Sequence, residues 1–177
     1  ENDSIDLVIN IYEGAQATIN KIIIKGNDKT NEHVIRRELR SIPGSKFSRS
    51  DIIRSQREIA NLGHFDPEKI QINPKPNPSD GTVDIEYIVE ERSGDQIELQ
   101  AGWGGNTIIG TVGLKLNNFS ARNIFKPSAW RPLPSGDGQQ LAFRVQSTGK
   151  AYQALTVSFA EPWLGGKRPN LFAVSLF

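Results

Sequence analysis

Cysteine is absent from the 177 residues, and so is methionine, even at position 1. Without cysteine there is neither a disulfide scaffold nor a thiolate metal site, and the chain suits an oxidising envelope as well as other compartments. Histidine is scarce, with only His33 and His64, a pair too isolated to offer metal-ligand spacing. No apolar run reaches the roughly 18 residues of a spanning helix, so any membrane crossing would use strands. The chain opens on ENDS and passes at once into a strand-like run; it closes on LFAVSLF, a strand pattern without a stop. Both ends are therefore expected to be cuts in a longer protein. No signal peptide is visible, which in a piece of a longer chain says nothing about export.

The net charge of +1 hides two unlike halves. Residues 1–96 carry 13 Lys and Arg against 17 Asp and Glu; residues 97–177 carry 8 against 3. Blocks of different charge point to two domains in different surroundings. The short, turn-rich segment Arg92-Ser93-Gly94-Asp95 is the expected joint.

In the first half, residues 5–11 (IDLVINI) read as a strand, and residues 17–25 (ATINKIIIK) as a second, with Ile19 and Ile23 on one face and Ile22 and Ile24 on the other. Gly26-Asn27-Asp28 breaks it, Thr30 is the expected N-cap, and residues 31–39 (NEHVIRREL) form a helix ended by Pro43-Gly44. Ser48 caps a second helix that places Ile52, Ile53, Ile59 and Ala60 on one face and stops at Gly63. Phe65 is expected to plug the core, residues 69–73 to form a strand, residues 74–81 a proline-rich connection, and residues 82–89 a closing strand. From residue 17 the order is strand, helix, helix, strand, strand: two helices on one face of a small sheet.

The second half has only strands. Ile97, Leu99, Ala101 and Trp103 alternate with Glu98, Gln100, Gly102 and Gly104; Val112, Leu114 and Leu116 with Gly113 and Lys115; Leu141, Phe143 and Val145 with Ala142 and Arg144; Leu155, Val157 and Phe159 with Thr156 and Ser158. A fifth strand begins near Leu171. Such alternation is the pattern of a transmembrane barrel wall, and equally of a half-buried sheet in a soluble protein. The aromatic residues near strand ends and the unequal loops, long at 118–138 and tight at 148–151, are what an outer-membrane barrel would show.

Catalysis finds little support. His33 falls on the polar side of a short helix, and His64 reads as a surface or capping group in a helix-end turn. Glu90 and Glu91 point to opposite faces of a strand. No helix follows Gly102-Trp-Gly-Gly-Asn to bind phosphate. Arg36, Arg37, Arg54 and Arg57 lie scattered among acids, which argues against nucleic acid. The chain therefore reads as a non-enzyme that needs no cofactor or metal.

The run INKIIIKGNDKTNEHVIRREL, then Gly44, NLGHFD and VDIEYIVEER, closely resembles the POTRA domain of the BamA family of outer-membrane assembly factors. QAGWGG, GLKLNNFSARNIF and FAEPWLGG look like that family's opening barrel strands, and KPSAWRPLPSGDGQ resembles members from Bacteroidetes-type bacteria. The resemblance implies an α+β POTRA domain (β-α-α-β-β) over 15–94, the last strand of a preceding POTRA domain over 1–14, and the first four to five strands of an incomplete transmembrane barrel over 95–177. The family commonly has Tyr or Phe where His64 stands, so that ring is expected to be less buried here; its Arg-Gly-Phe/Tyr barrel-loop motif is not in this chain.

The resemblance also implies a function: insertion of β-barrel proteins into the bacterial outer membrane, with the POTRA part in the periplasm. The partners are unfolded outer-membrane proteins, accessory lipoproteins and outer-membrane lipid. In the family the first strand is the weakly sealed side of the barrel. Here that strand is Ile97, Glu98, Leu99, Gln100, Ala101, Gly102, Trp103, Gly104 and Gly105, where glycine weakens pairing and a client strand would add by β-augmentation. Lys69, Ile70, Gln71, Ile72 and Asn73 are the expected second such edge, on the POTRA sheet. Two other readings stay open: a two-partner-secretion-type transporter with its own pore, and a soluble periplasmic binding module whose second sheet is half a sandwich.

Overall fold

A computed structural model describes residues 7–11, 16–104, 107–130, 132–149 and 152–177. The first unit contains β1 (Thr18–Lys25), α1 (Glu32–Arg36), α2 (Arg49–Asn61), β2 (Gln71–Asn77) and β3 (Thr82–Ile88). Its sheet has the order β1-β3-β2, with β1 parallel and β2 antiparallel to the central β3. The parallel pair requires a crossover, which the two helices supply.

The core gathers Ile19 and Ile22 of β1, Ile35 and Leu39, Ile52 and Ile59 of α2, Phe65, and Val83, Ile85 and Tyr87 of β3. Phe65 and Tyr87 are fully buried. Strict alternation would separate Ile19 from Ile22. A register shift between them brings both into the same core, as a bulge does by inserting a residue. Ile53 is the one residue of the predicted α2 stripe that stays exposed. Ser48 caps α2 as expected, its hydroxyl accepting from the Asp51 amide at 3.4 Å.

Several expectations shift. Helix α1 covers only 32–36, and its N-cap is Asn31, whose side chain makes no capping bond; Thr30 is buried beside it. Residues 7–11 carry no strand, because a strand needs a neighbour and none of the described strands pairs with them; residues 5 and 6 lie outside the described residues. Strand β2 runs to Asn77, through Pro74 and Pro76, where the sequence reads as a connection. Proline is tolerated there because β2 is an edge strand. Lys69 ends a 3-10 turn, and Ile70 is buried ahead of the strand.

The second unit is an antiparallel meander: β4 (Gln96–Gly104), β5 (Thr107–Phe119), β6 (Gln139–Thr148), β7 (Tyr152–Glu161) and β8 (Phe172–Leu176), paired in chain order and not closed. The apolar residues line up across strands, as in the rows Ile97, Leu114, Phe143, Val157, Leu176 and Leu99, Val112, Val145, Leu155. On the opposite face run Glu98, Gly113, Arg144, Thr156 and Gln100, Thr111, Gln146, Ala154. No described layer covers the apolar face: Leu99 is 74% exposed and Leu155 57%. An open antiparallel meander with one apolar face has the form of the wall of an incomplete barrel.

The long connections, 120–138 and 162–171, both lie at the end of the sheet nearest the first unit, and the short ones at the far end. Both long loops touch the first unit. Asn31 N–H donates to Gly136 O (2.8 Å) and Trp163 Nε1 to Glu38 Oε1 (2.8 Å).

Candidate functional site

Among the described residues β4 pairs with β5 alone, so its other side is open. Register fixes which backbone groups face that side. Gly149 N–H donates to Ile108 O (3.1 Å), so the Ile108 backbone points at β6. Backbone direction alternates along an antiparallel strand, and the pairing from Gln96↔Lys115 to Gly104↔Thr107 is unbroken. Hence Thr107, Ile109, Thr111, Gly113 and Lys115 bond to Gly104, Gly102, Gln100, Glu98 and Gln96. The amides and carbonyls of Ile97, Leu99, Ala101 and Trp103 face outward. Of the nine sequence-predicted residues, eight form β4; Gly105 lies outside the described residues. Natural edges are usually blunted by proline, lysine or a bulge; β4 has none of these.

The β2 edge is different. Val89 N–H donates to Lys25 O (2.9 Å), which turns the odd positions of β3 toward β1 and the even ones toward β2. Their partners Gln71, Asn73, Lys75 and Asn77 therefore face inward. Ile72, Pro74 and Pro76 face the open side, and proline has no N–H to offer. Of the five residues predicted as a POTRA edge, only Ile72 presents a strand donor outward.

A strut crosses the polar face. Arg144 of β6 donates to both carboxylate oxygens of Glu98 on β4 (2.8 and 2.6 Å), and Gln100 donates to Glu98 Oε1 (2.8 Å). Gly113 lies between them on β5, where a Cβ would sit 3.1 Å from Glu98 Cβ and Oε2. The glycine leaves the gap through which the pair meets.

The joint is fixed by side-chain ties that sequence reading did not anticipate. The Glu91 carboxylate accepts from the amides of Lys29 (2.9 Å) and Thr30 (2.6 Å). Asn117 donates its side-chain amide to Gly94 O and its backbone amide to Asp95 Oδ1. Buried Asp137 collects Asn31 Nδ2 (2.8 Å), Ser120 Oγ (2.7 Å) and Arg122 (3.3 Å), with His33 Nε2 at 3.6 Å. Asn118 Nδ2 reaches Thr30 Oγ1 (2.8 Å). One signal was available: the second half has only three acids, Glu98, Asp137 and Glu161, and each holds a tie. Where Trp163 meets Glu38 the Arg37 guanidinium stacks on Trp163 (5.4 Å), and burial holds the Arg37 pKa below its usual value. Burial raises that of Glu38, against the Trp163 hydrogen bond.

His64 corrects its expectation: it is 6% exposed, its backbone carbonyl accepting from Arg92 N–H (2.9 Å). Burial, then the nearby Arg37 charge, lowers its pKa from 6.5 to about 4. The folded state thus holds His64 neutral where the unfolded chain would protonate it, so stability falls as pH drops from about 6.5 toward about 4. The full effect is roughly 3 kcal/mol. Urea midpoints at about pH 7 and about pH 4.5 should differ more for the native chain than for His64→Phe; equal shifts would refute the assignment.

Comparison with known proteins places these features. The POTRA family, described as a surface antigen variable number repeat, matches residues 17–92. Outer membrane protein assembly factor BamA of Neisseria meningitidis serogroup B is 30% identical over 164 residues, covering 92% of this chain and 18% of that protein. BamA of Neorickettsia risticii is 32% identical over 130 residues, covering 72% of this chain and 16% of that protein. The crystal structure of Haemophilus ducreyi BamA lacking POTRA domains 1–3 shares the fold, with a TM-score of 0.68 at 22% identity over 86% of this chain and 26% of that one. The chain thus spans less than a fifth of the length of these curated relatives. They lend no support to the Bacteroidetes-type likeness of the insert. With a POTRA domain over 17–92 and an open five-stranded sheet of the barrel part behind it, the chain belongs to the BamA family.

Proposed function

We propose that the protein containing this chain inserts β-barrel proteins into the bacterial outer membrane, with the POTRA domain in the periplasm and β4 as the template on which a client strand pairs. The observation that carries this reading is the β4 edge, uncovered among the described strands, with four outward-facing residues at alternate positions and no proline, lysine or bulge. Its backbone groups would cost several kcal/mol each if left unpaired in lipid, so a client strand that satisfies them is strongly favoured. Relatives several times longer leave room for strands beyond β8, which would cover that edge and leave β4 as the seam. Hydrogen-bond exchange suffices, with no covalent step. Unfolded clients and accessory lipoproteins are the partners of this reading; at the β2 edge, such contacts centre on Ile72.

The chain's lack of cysteine allows a direct test. With Leu99→Cys in the full-length protein, any cysteines outside these residues being replaced, a client carrying a cysteine in its terminal strand should form a disulfide during assembly. The same cysteine at Lys46, on the POTRA surface, should give none. No adduct at Leu99 in a protein that still assembles clients would refute the template role.

A further inference from the structure

The insert between β5 and β6 turns its polar groups inward and its apolar side chains outward. Its polar groups are tied inward: Ser120 N–H donates to Pro134 O (3.0 Å), Asn123 Nδ2 to Ser135 O (3.2 Å) and Trp130 Nε1 to Asn123 O (3.0 Å). Its apolar side chains are left outside. Phe125 is 90% exposed, and Ile124, Trp130 and Leu133 are also exposed. Three cations, Arg122, Lys126 and Arg131, outnumber the insert's single acid, the buried Asp137, which pairs with Arg122. Aromatic rings beside cations are the composition of a membrane interface, where a ring sits at the headgroup level and Lys or Arg meets phosphate.

Position supports the same partner. Leu116 belongs to the apolar face of the sheet, in the row with Leu141 and Phe159. Unlike the rest of that face it is buried, and it lines one cleft with Pro132, Leu133 and Pro134 of the insert. The insert therefore continues the apolar face at its POTRA end, where the hydrocarbon of a bilayer would give way to headgroups. Resting on the membrane reading of that face, we propose that residues 120–135 dock on the phospholipid leaflet facing the POTRA domain. The neighbouring residues Gly136 and Asp137 bond Asn31 at the start of α1. The insert thus joins the POTRA domain to the bilayer plane as well as to the barrel.

The test uses the full-length protein in phosphatidylethanolamine–phosphatidylglycerol vesicles, with cysteines outside these residues replaced. An environment-sensitive fluorophore is placed on Ser128→Cys, an exposed position that keeps Phe125 and Trp130, or on Val145→Cys within the apolar face. Quenching by lipids spin-labelled near the headgroup is expected to exceed that by deep-labelled lipids at 128, with the reverse order at 145. Adding Phe125→Ser and Trp130→Ser should abolish quenching at 128 and leave 145 unchanged. Quenching at 145 with none at 128 overturns the docking alone. Quenching at neither position overturns the membrane reading and the docking with it.

Discussion

Ala101→Pro in the full-length protein is expected to lower client assembly on the order of tenfold or more, while the barrel still folds. The Ala101 amide faces the open side of β4, so proline there removes an outward-facing donor and, on the proposed template role, sets its ring against the incoming strand. One lost hydrogen bond accounts for up to about tenfold, and the steric clash adds to it. The internal β4–β5 ladder keeps all its bonds, because proline is tolerated on an edge with its nitrogen facing out. Leu99→Pro should behave alike. Gln100→Pro and Gly102→Pro, one residue out of phase, break bonds to β5 instead and should damage folding itself. The measurement is the yield of protease-protected client in vesicles holding each variant, beside the heat-modifiable mobility of the variant. An Ala101→Pro protein that assembles clients at the native rate would remove β4 from the mechanism.

Gly26→Ala is expected to have the largest effect on stability. Gly26 follows β1 with φ 87°, a conformation costing a residue with a Cβ about 1–2 kcal/mol. An added Cβ would lie 1.8 Å from the carbonyl oxygen of Val89 and 3.0 Å from its carbon. Those atoms are backbone at the end of the central strand, and Val89 N–H is bonded to Lys25 O, so relief requires parting β1 from β3. The combined cost is about 3 kcal/mol or more, a large share of the stability of so small a domain. Gly44→Ala is the matched control: its φ is 85°, but nothing lies within 4 Å of the new Cβ. Urea midpoints should fall far more for Gly26→Ala than for Gly44→Ala, and equal falls would show that the clash is relieved cheaply.

What the sequence makes legible is what periodicity encodes. The barrel strands follow from alternation, since a strand with one lipid or core face cannot slip by one residue without exposing every apolar side chain. The cap at Ser48 and the stop at Gly63 are local chemistry and read directly. Long-range determinants are what sequence reading misses. Strand β2 hides behind Pro74 and Pro76, because only its edge position makes them tolerable. Ile22 joins Ile19 through a register shift that alternation does not announce. His64 is buried because the joint and the insert fold over it, with Gly138 of the insert beside its Nε2. For β4, composition locates the strand, but only the pairing register separates the outward-facing Leu99 and Ala101 from Gln100 and Gly102.

The Glu98–Arg144 pair has a mechanical consequence. It spans from β4 to β6 over the gap at Gly113, so the first strand is cross-braced to the third as well as hydrogen-bonded to the second. Peeling β4 from β5 would have to break that brace too. Strands β4, β5 and β6 should therefore travel as one stiff plate, and any parting of the wall falls at the outer side of β4, with that edge kept straight throughout.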